Sequence, residues 1–472
     1  MLAAVTDFLW SYILVAVLIV MGLIMTIRSR FVQLRYFGDM FKVLGQAFKH
    51  QTGHVSSFQA LTLSVAGRVG AGNIAGVAVA ITLGGPGAVF WMWMVGLIGM
   101  ATSFFECSLA QAYKTRDATT GTFRGGPMYY IERGVGSRGM AMIFTLLLLL
   151  TFGLAFVALQ SFTASTSLNE AFGIPTVVTG IVMTVVVGFS IFGGVQRISR
   201  VTEIIVPIMA ILYIGVTVVV VGMNITEVPA VLGLIVKSAF GLEPAIGGGI
   251  GAAIMMGVRR GLFSNEAGLG SAPNVASVAY VPHPVNQGIV QSFSVFIDTA
   301  IICTATALLI LLAGLHVDAE TSNGVVLTQL ALAQFVGPWG ETFVSVVLVL
   351  FAFSSILYNF YLGENATYWI NQKDRTMFIG FRILMLALIL WGSVQDLTAI
   401  FSFADLTMAL LALVNLAALA IMLKVCFRIM NDYEDQLKQG KTPVFDVKAF
   451  DDLKLDADAW ADAKDSVVDG RH

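Results

Sequence analysis

Leu63-Ser-Val-Ala-Gly-Arg-Val-Gly-Ala-Gly-Asn-Ile-Ala-Gly76 sits inside an apolar stretch, 55–83, long enough to cross a bilayer. Within a few residues it holds Gly67, Gly70 and Gly72, with Arg68 and Asn73 between and after them. Glycine costs about 1 kcal/mol relative to alanine in a helix interior. Irregular backbone at membrane depth survives only where it is buried in protein or lines a cavity. Close helix packing alone would explain Gly84, Gly85, Gly96 and Gly99. It does not explain an arginine and an asparagine in the same turns. The segment reads as a spanning helix that breaks halfway.

A second stretch repeats the pattern. Met256-Gly-Val-Arg-Arg-Gly-Leu-Phe-Ser-Asn-Glu-Ala-Gly268 also runs glycine, arginine, glycine and ends in Asn-x-Ala-Gly, as Asn73 to Gly76 does. Its break is read as lying ahead of Phe263 and Ser264, which would then close over a bound molecule. Paired discontinuous helices at matching places in two halves point to a transporter's binding site.

The rest of the chain supplies the frame. Of 472 residues, 57% are hydrophobic and 12% charged, and the mean hydropathy is +0.84. Soluble domains carry about 25% charged residues, so lipid is the solvent for most of these side chains. Eleven stretches reach, some only with a break, the about 20 apolar residues a spanning helix needs: 8–27, 55–83, 86–112, 141–163, 174–192, 203–222, 245–280, 288–314, 342–363, 377–394 and 399–427. The two broken ones lie five helices apart and so enter from opposite sides. The expected fold is therefore an all-α membrane protein, one extra N-terminal helix (8–27) before a five-plus-five inverted repeat. Its halves are 55–222 and 245–427, within one transporter domain, 1–430. Residues 34–50 place Phe37, Phe41, Leu44 and Phe48 on one face, as an interfacial helix would. Residues 431–472 read as a polar cytoplasmic tail.

Charge tests the parsing. With the N-terminus outside, Arg28, Arg30, Arg35, Lys42 and Lys49 fall in the first inner loop, and Lys114, Arg116, Arg124, Arg133 and Arg138 in the next. Only Lys237 falls outside, while Arg68, Arg259 and Arg260 lie within spans. Cytoplasmic loops are rich in Lys and Arg, so the expectation is N-terminus out and C-terminus in, in a bacterial inner membrane. The first residues carry Asp7 and no basic residue, unlike a cleaved signal. Cys107, Cys303 and Cys426 lack metal-ligand spacing and read as small buried hydrophobes. A net charge of −2 with no basic arm gives no sign of a nucleic-acid partner.

The chemistry follows from the ends of the half-helices. Free N–H groups at a break favour a carboxylate, and Gly70, Ala71, Gly72 and Asn73 form the expected cradle. Exposed carbonyls suit sodium, a hard cation that prefers oxygen. The Asn73 side chain serves either the ion or the substrate.

Three further runs carry a resemblance. Gly84-Gly-Pro-Gly-Ala-Val-Phe-Trp-Met-Trp93, Arg259-Arg-Gly-Leu-Phe-Ser-Asn-Glu-Ala-Gly-Leu-Gly-Ser-Ala-Pro273 and Gly125-Gly-Pro-Met-Tyr-Tyr130, with the Gly-Asn-Ile-Ala-Gly stretch, resemble the alanine or glycine:cation symporter family. The resemblance spans about residues 8–430. It implies the inverted-repeat fold of the leucine transporter and sodium-driven import of a small neutral amino acid, alanine or glycine, with protons replacing sodium in some members. It also implies a sodium site between the first break and 342–363. There Phe351-Ala-Phe-Ser-Ser355 would give the Ser354 and Ser355 hydroxyls and the Phe351 carbonyl, opposite the carbonyls of Ala66 and Val69. No organic cofactor is implied.

Other buried polar groups stay open. Asp298 is either an ion- or proton-coupling carboxylate or a structural partner for Arg68, Arg259 or Arg260. Glu106 and Glu266 face the same choice and lean structural. Gln160 bonds substrate or glues the core. Asp405 and Asn415 carry no assignment. His50, His54, His283, His316 and His472 read as surface residues. A channel would need a filter-forming ring, and an intramembrane enzyme a motif such as His-Glu-x-x-His or Gly-x-Ser-x-Gly; neither is present.

Overall fold

The computed structural model describes residues 2–47, 55–117, 121–192, 194–242, 249–315, 324–372, 374–395 and 397–461. Helix α1 (Val5–Arg28) is followed by α2 (Phe37–Ala47), then by a bent pair, α3 (Ser57–Arg68) and α4 (Gly72–Gly84). Next come α5 (Gly87–Ala112), α6 (Arg138–Phe172), α7 (Thr176–Ile191), α8 (Gly194–Met223) and α9 (Val228–Ala239). The second half holds α10 (Gly249–Asn265), α11 (Ala272–Ala276), α12 (Pro284–Ala313), α13 (Gly324–Val336) and α14 (Trp339–Ile370). It closes with α15 (Arg375–Gly392), α16 (Leu397–Ile421) and α17 (Leu423–Lys438).

Among the described residues, eight helices are long and apolar enough to cross a membrane, or nine when α3 and α4 count as one bent span. Each of the eleven expected stretches meets a helix. However, α7 has 16 residues and α10 has 17, both short of a full span. Helices α9 and α13 were not foreseen and fill connections read as loops. Capping explains several starts. Ser56 and Gln59 form a reciprocal capping box ahead of α3, and Ser137 accepts the Met140 N–H ahead of α6.

The core is built around α5 and α14. Helix α5 packs along α12 and α10; α14 packs against α6, α3, α8 and α13. Small residues allow these approaches. A Cβ on Gly257 would stand 2.6 Å from the Trp91 Cβ, one on Gly84 2.8 Å from the Met256 Cβ, and one on Gly99 2.9 Å from the Ala267 Cβ. Two rings of α2 touch the body, Phe37 at 5.0 Å from Phe296 and Phe41 at 5.1 Å from Phe293, while Phe41 stays half exposed. The expected interfacial segment's last residues, 48–50, lie outside the described ones.

Two expectations shift at the C-terminal end. Helix α17 runs through the boundary drawn at 430. Residues beyond it pack onto the body, with Phe445, Phe450 and Trp460 buried. The Phe445 N–H donates to the Pro282 carbonyl at 2.9 Å, and Trp460 Nε1 to the Ala112 carbonyl at 3.3 Å.

Candidate functional site

Helix α3 stops at Arg68, Val69 is extended (φ −82°, ψ 99°), and α4 resumes at Gly72, bent by 49°. The turn lost between them frees carbonyls on one side and amides on the other. On the carbonyl side, Ser355 Oγ donates to the Ala66 carbonyl at 2.8 Å and lies 3.4 Å from that of Val69. Ser354 donates back to the Phe351 carbonyl at 3.0 Å. Of the residues expected at a sodium site, Ser355 thus meets Ala66 and Val69 where α14 crosses the break, while Ser354 and Phe351 bond each other within α14. On the amide side, the Gly70 N–H donates to Asn73 Oδ1 at 2.9 Å and the Ala71 N–H to Gln160 Oε1 at 3.2 Å. Any side chain at Gly70 would collide with Ser355 and Gln160: its Cβ would stand 2.6 Å from Ser355 Oγ and 2.7 Å from Gln160 Nε2.

Asn73 links this break to Asp298. Its Nδ2 donates to Asp298 Oδ1 at 2.6 Å and lies 3.3 Å from Cys303 Sγ. The same carboxylate accepts from Ser264 Oγ at 3.0 and 3.1 Å and from Thr299 Oγ1 at 2.8 Å. Asp298 is fully buried, and it joins α4, α10 and α12 through neutral donors.

The three buried arginines make their direct bonds to groups other than Asp298. Arg68 donates to the Gln291 carbonyl and Ser103 Oγ, both at 3.0 Å, and to Ser294 Oγ, stapling α3, α5 and α12 together. Arg259 and Arg260 bond Asp405 Oδ2 at 2.8 and 2.6 Å, and Arg259 also reaches Asp7 at 3.2 Å. Asp405, which sequence reasoning left unassigned, is the counter-charge for both.

The second break is also displaced from its expected place. Helix α10 runs unbroken through Gly257, Arg259, Arg260 and Gly261, because those glycines serve its contact with α5. The chain leaves helix at Glu266, a non-glycine residue at φ +55°, and passes Gly268 (φ +87°) and Gly270 (φ +78°) before α11. Phe263 and Ser264 thus precede the break. They still reach the site: a Cβ on Gly72 would stand 3.1 Å from both the Phe263 ring and the Ser264 Cα. Phe263 completes an aromatic wall with Phe156 and Phe401, at 5.0 and 5.9 Å between ring centres. Glu266 accepts from Ser271 Oγ at 2.6 Å and the Tyr358 hydroxyl at 2.9 Å. Glu106 accepts from the Gly268 N–H at 3.1 Å and Asn415 Nδ2 at 2.9 Å. Both brace the second loop.

His283 corrects the surface reading of the histidines. It is fully buried, and it caps α12. The other four lie outside the described residues. Cys303, Phe156 and Phe401 were missed as site residues. Cys303 and Asp298 share a face because 296–303 forms a wider, π-type turn, and no spacing rule for an α-helix would pair them.

Loose backbone at two interruptions, joined by buried polar side chains inside a multi-helix apolar frame, defines a multi-pass membrane transporter. Residues 1–447 match the model of the sodium:alanine symporter family, and the chain belongs to that family. The amino-acid carrier protein AlsT of Bacillus subtilis (strain 168) is 46% identical over 459 residues, 97% of each chain. The probable sodium/glutamine symporter GlnT of the same strain is 45% identical over 440 residues, covering 93% of this chain and 91% of that relative. The crystal structure of MhsT in complex with L-phenylalanine matches with a TM-score of 0.59 at 13% identity, over 79% of this chain and 90% of that one. That likeness is one of fold. The protein is a cation-coupled amino-acid transporter and not an enzyme.

Proposed function

We propose that this protein is a sodium-coupled symporter that imports a small neutral amino acid, alanine or glycine, by alternating access. The observation that carries the reading is Ser355 Oγ at 2.8 Å from the Ala66 carbonyl and 3.4 Å from that of Val69. A sodium ion would take those three oxygens together with the Phe351 carbonyl and Ser354 hydroxyl. A substrate carboxylate would take the Gly70, Ala71 and Gly72 amides, displacing the Asn73 and Gln160 oxygens that accept from two of them. Phe263 against Gly72 would limit the substrate's side chain.

We read eleven spans in a five-plus-five inverted repeat after α1, with the N-terminus outside and a cytoplasmic C-terminus. One sodium moving down about 100 mV releases roughly 2.3 kcal/mol, enough for on the order of 50-fold accumulation. A proton-coupled reading rests on Asp298, a buried carboxylate held by neutral donors and set between both breaks. One experiment separates the two. In proteoliposomes, radiolabelled alanine uptake should stop when external sodium is replaced by potassium or choline. Unchanged uptake driven by an inward proton gradient would refute sodium coupling.

A further inference from the structure

A cavity of about 900 Å³ opens where α1 ends at Arg28 and α16 ends at Ile421, with α17 forming its floor. A smaller one, about 310 Å³, shares Arg28 and continues past Arg30 and Arg35. Two apolar spans finish at this rim, so the groove lies where acyl chains give way to headgroups. Ile27 and Ile421 stand 61% and 62% exposed beside it, facing lipid.

The charges within it do not cancel. Arg428 is committed to Asp452 at 2.7 Å, and Arg35 to Glu434 at 2.6 Å. Asp435 is matched by Lys438 at 2.8 Å, while Asp432 bonds the neutral His283 ring at 3.0 Å and so offsets one of the remaining cations. Arg28, Arg30 and Lys424 remain, and none has a carboxylate within 4 Å among the described residues. The Arg28 guanidinium lies over the Phe427 ring, 5.4 Å from its centre, which holds it on the cavity wall. An unbalanced cationic pocket under an apolar rim is the arrangement that receives an anionic lipid.

We propose that this groove binds the headgroup phosphate of an anionic phospholipid from the leaflet on the Lys- and Arg-rich side. Arg28 forks the phosphate through paired N–H donors, Lys424 adds a point charge, and the acyl chains run along Ile27 and Ile421. This is independent of the transported substrate.

The test is native mass spectrometry of the full-length protein in detergent, titrated with phosphatidylglycerol or phosphatidylcholine. Phosphatidylglycerol should bind preferentially, and Arg28→Gln with Lys424→Gln should weaken that binding roughly 30-fold. The charge-keeping pair Arg28→Lys with Lys424→Arg should retain most of it, separating charge loss from misfolding. Equal retention of both lipids, or wild-type affinity in the double glutamine variant, overturns the site. So does full displacement of the lipid by millimolar inorganic phosphate, which would mark a pocket for free anions.

Discussion

Replacing Ser355 with alanine removes one hydroxyl from the crossing of α14 and the first break, and leaves the other four proposed sodium ligands in place. Two terms set the size of the effect. With the hydroxyl donating to the Ala66 carbonyl at 2.8 Å, as in the structure, the bond contributes about 1 kcal/mol, the ordinary net value for a neutral pair. Turned toward sodium, the same oxygen meets a full charge, and contacts of that kind contribute about 1.5–3 kcal/mol. The substitution forfeits both, so sodium binding weakens by the difference, about 0.5–2 kcal/mol. The sodium concentration for half-maximal alanine uptake should then rise about 2- to 30-fold. Maximal uptake at saturating sodium should change far less, because the proposed substrate amides at Gly70 and Ala71 are untouched. Ser354→Ala should have the smaller effect, since its hydroxyl is directed to its own helix at Phe351. Sodium titration of uptake in proteoliposomes reads all three quantities. An unchanged half-saturating concentration for Ser355→Ala would show that the hydroxyl does not touch the ion.

Gly72→Ala sets a methyl 3.1 Å from the Phe263 ring and from the Ser264 backbone, where the ring can yield and the backbone cannot. Discrimination against alanine relative to glycine should rise by about 1–3 kcal/mol, read as the ratio of kcat/KM for the two substrates; an unaltered ratio would remove Phe263 from the pocket wall. His283 accepts the Val285 N–H at Nδ1 and faces Asp432 through Nε2, both ring nitrogens engaged at 3.2 and 3.0 Å, so the neutral ring suits its place. Burial holds its pKa below the usual value near 6.5, against the pull of Asp432. The unfolded chain therefore binds the extra proton first. Its contribution is complete above pH about 6.5 and is lost as pH falls toward the depressed value, by at most about 1.4 kcal/mol per unit. Thermal unfolding should show that slope below pH 6.5 and lose it in His283→Gln; equal slopes would assign the acid sensitivity elsewhere.

The first break was legible because its glycines, arginine and asparagine fall inside one otherwise apolar span. The second was legible as a neighbourhood but not as a position. Gly257 and Gly261 imitate a break while serving the contact with α5, and the true departure occurs at Glu266, a residue that no propensity scale marks for φ +55°. Asp298 stood out as a carboxylate in lipid, yet the choice between coupling and ion pairing turned on where three arginines found their partners. Asp405 supplied two of them from a helix far along the chain, and that pairing has no local signature. The wider turn at 296–303 hid Cys303 for the same kind of reason: it changes which residues share a face without changing composition.

The two interruptions differ in how they satisfy the backbone they expose, and the difference assigns them different work. At the second, Glu106 takes the Gly268 N–H while Asn415 bonds both that carboxylate and the Gly268 carbonyl at 2.9 Å. Glu266 is bonded in turn by Ser271 and Tyr358. A carboxyl oxygen of Glu106 already fills the position a substrate carboxylate would need. At the first, the Gly70 and Ala71 amides are met only by neutral oxygens, those of Asn73 and Gln160, at 2.9 and 3.2 Å. A carboxylate accepts from an N–H about twice as strongly as a neutral oxygen does, so an arriving amino acid can displace both side chains. Asn73, once displaced, is still held at its other end by Asp298. If substrate binds at the first break as proposed, its arrival would be felt through Asn73 and Asp298 at α12 and at Ser264 on α10, which leads directly into the second.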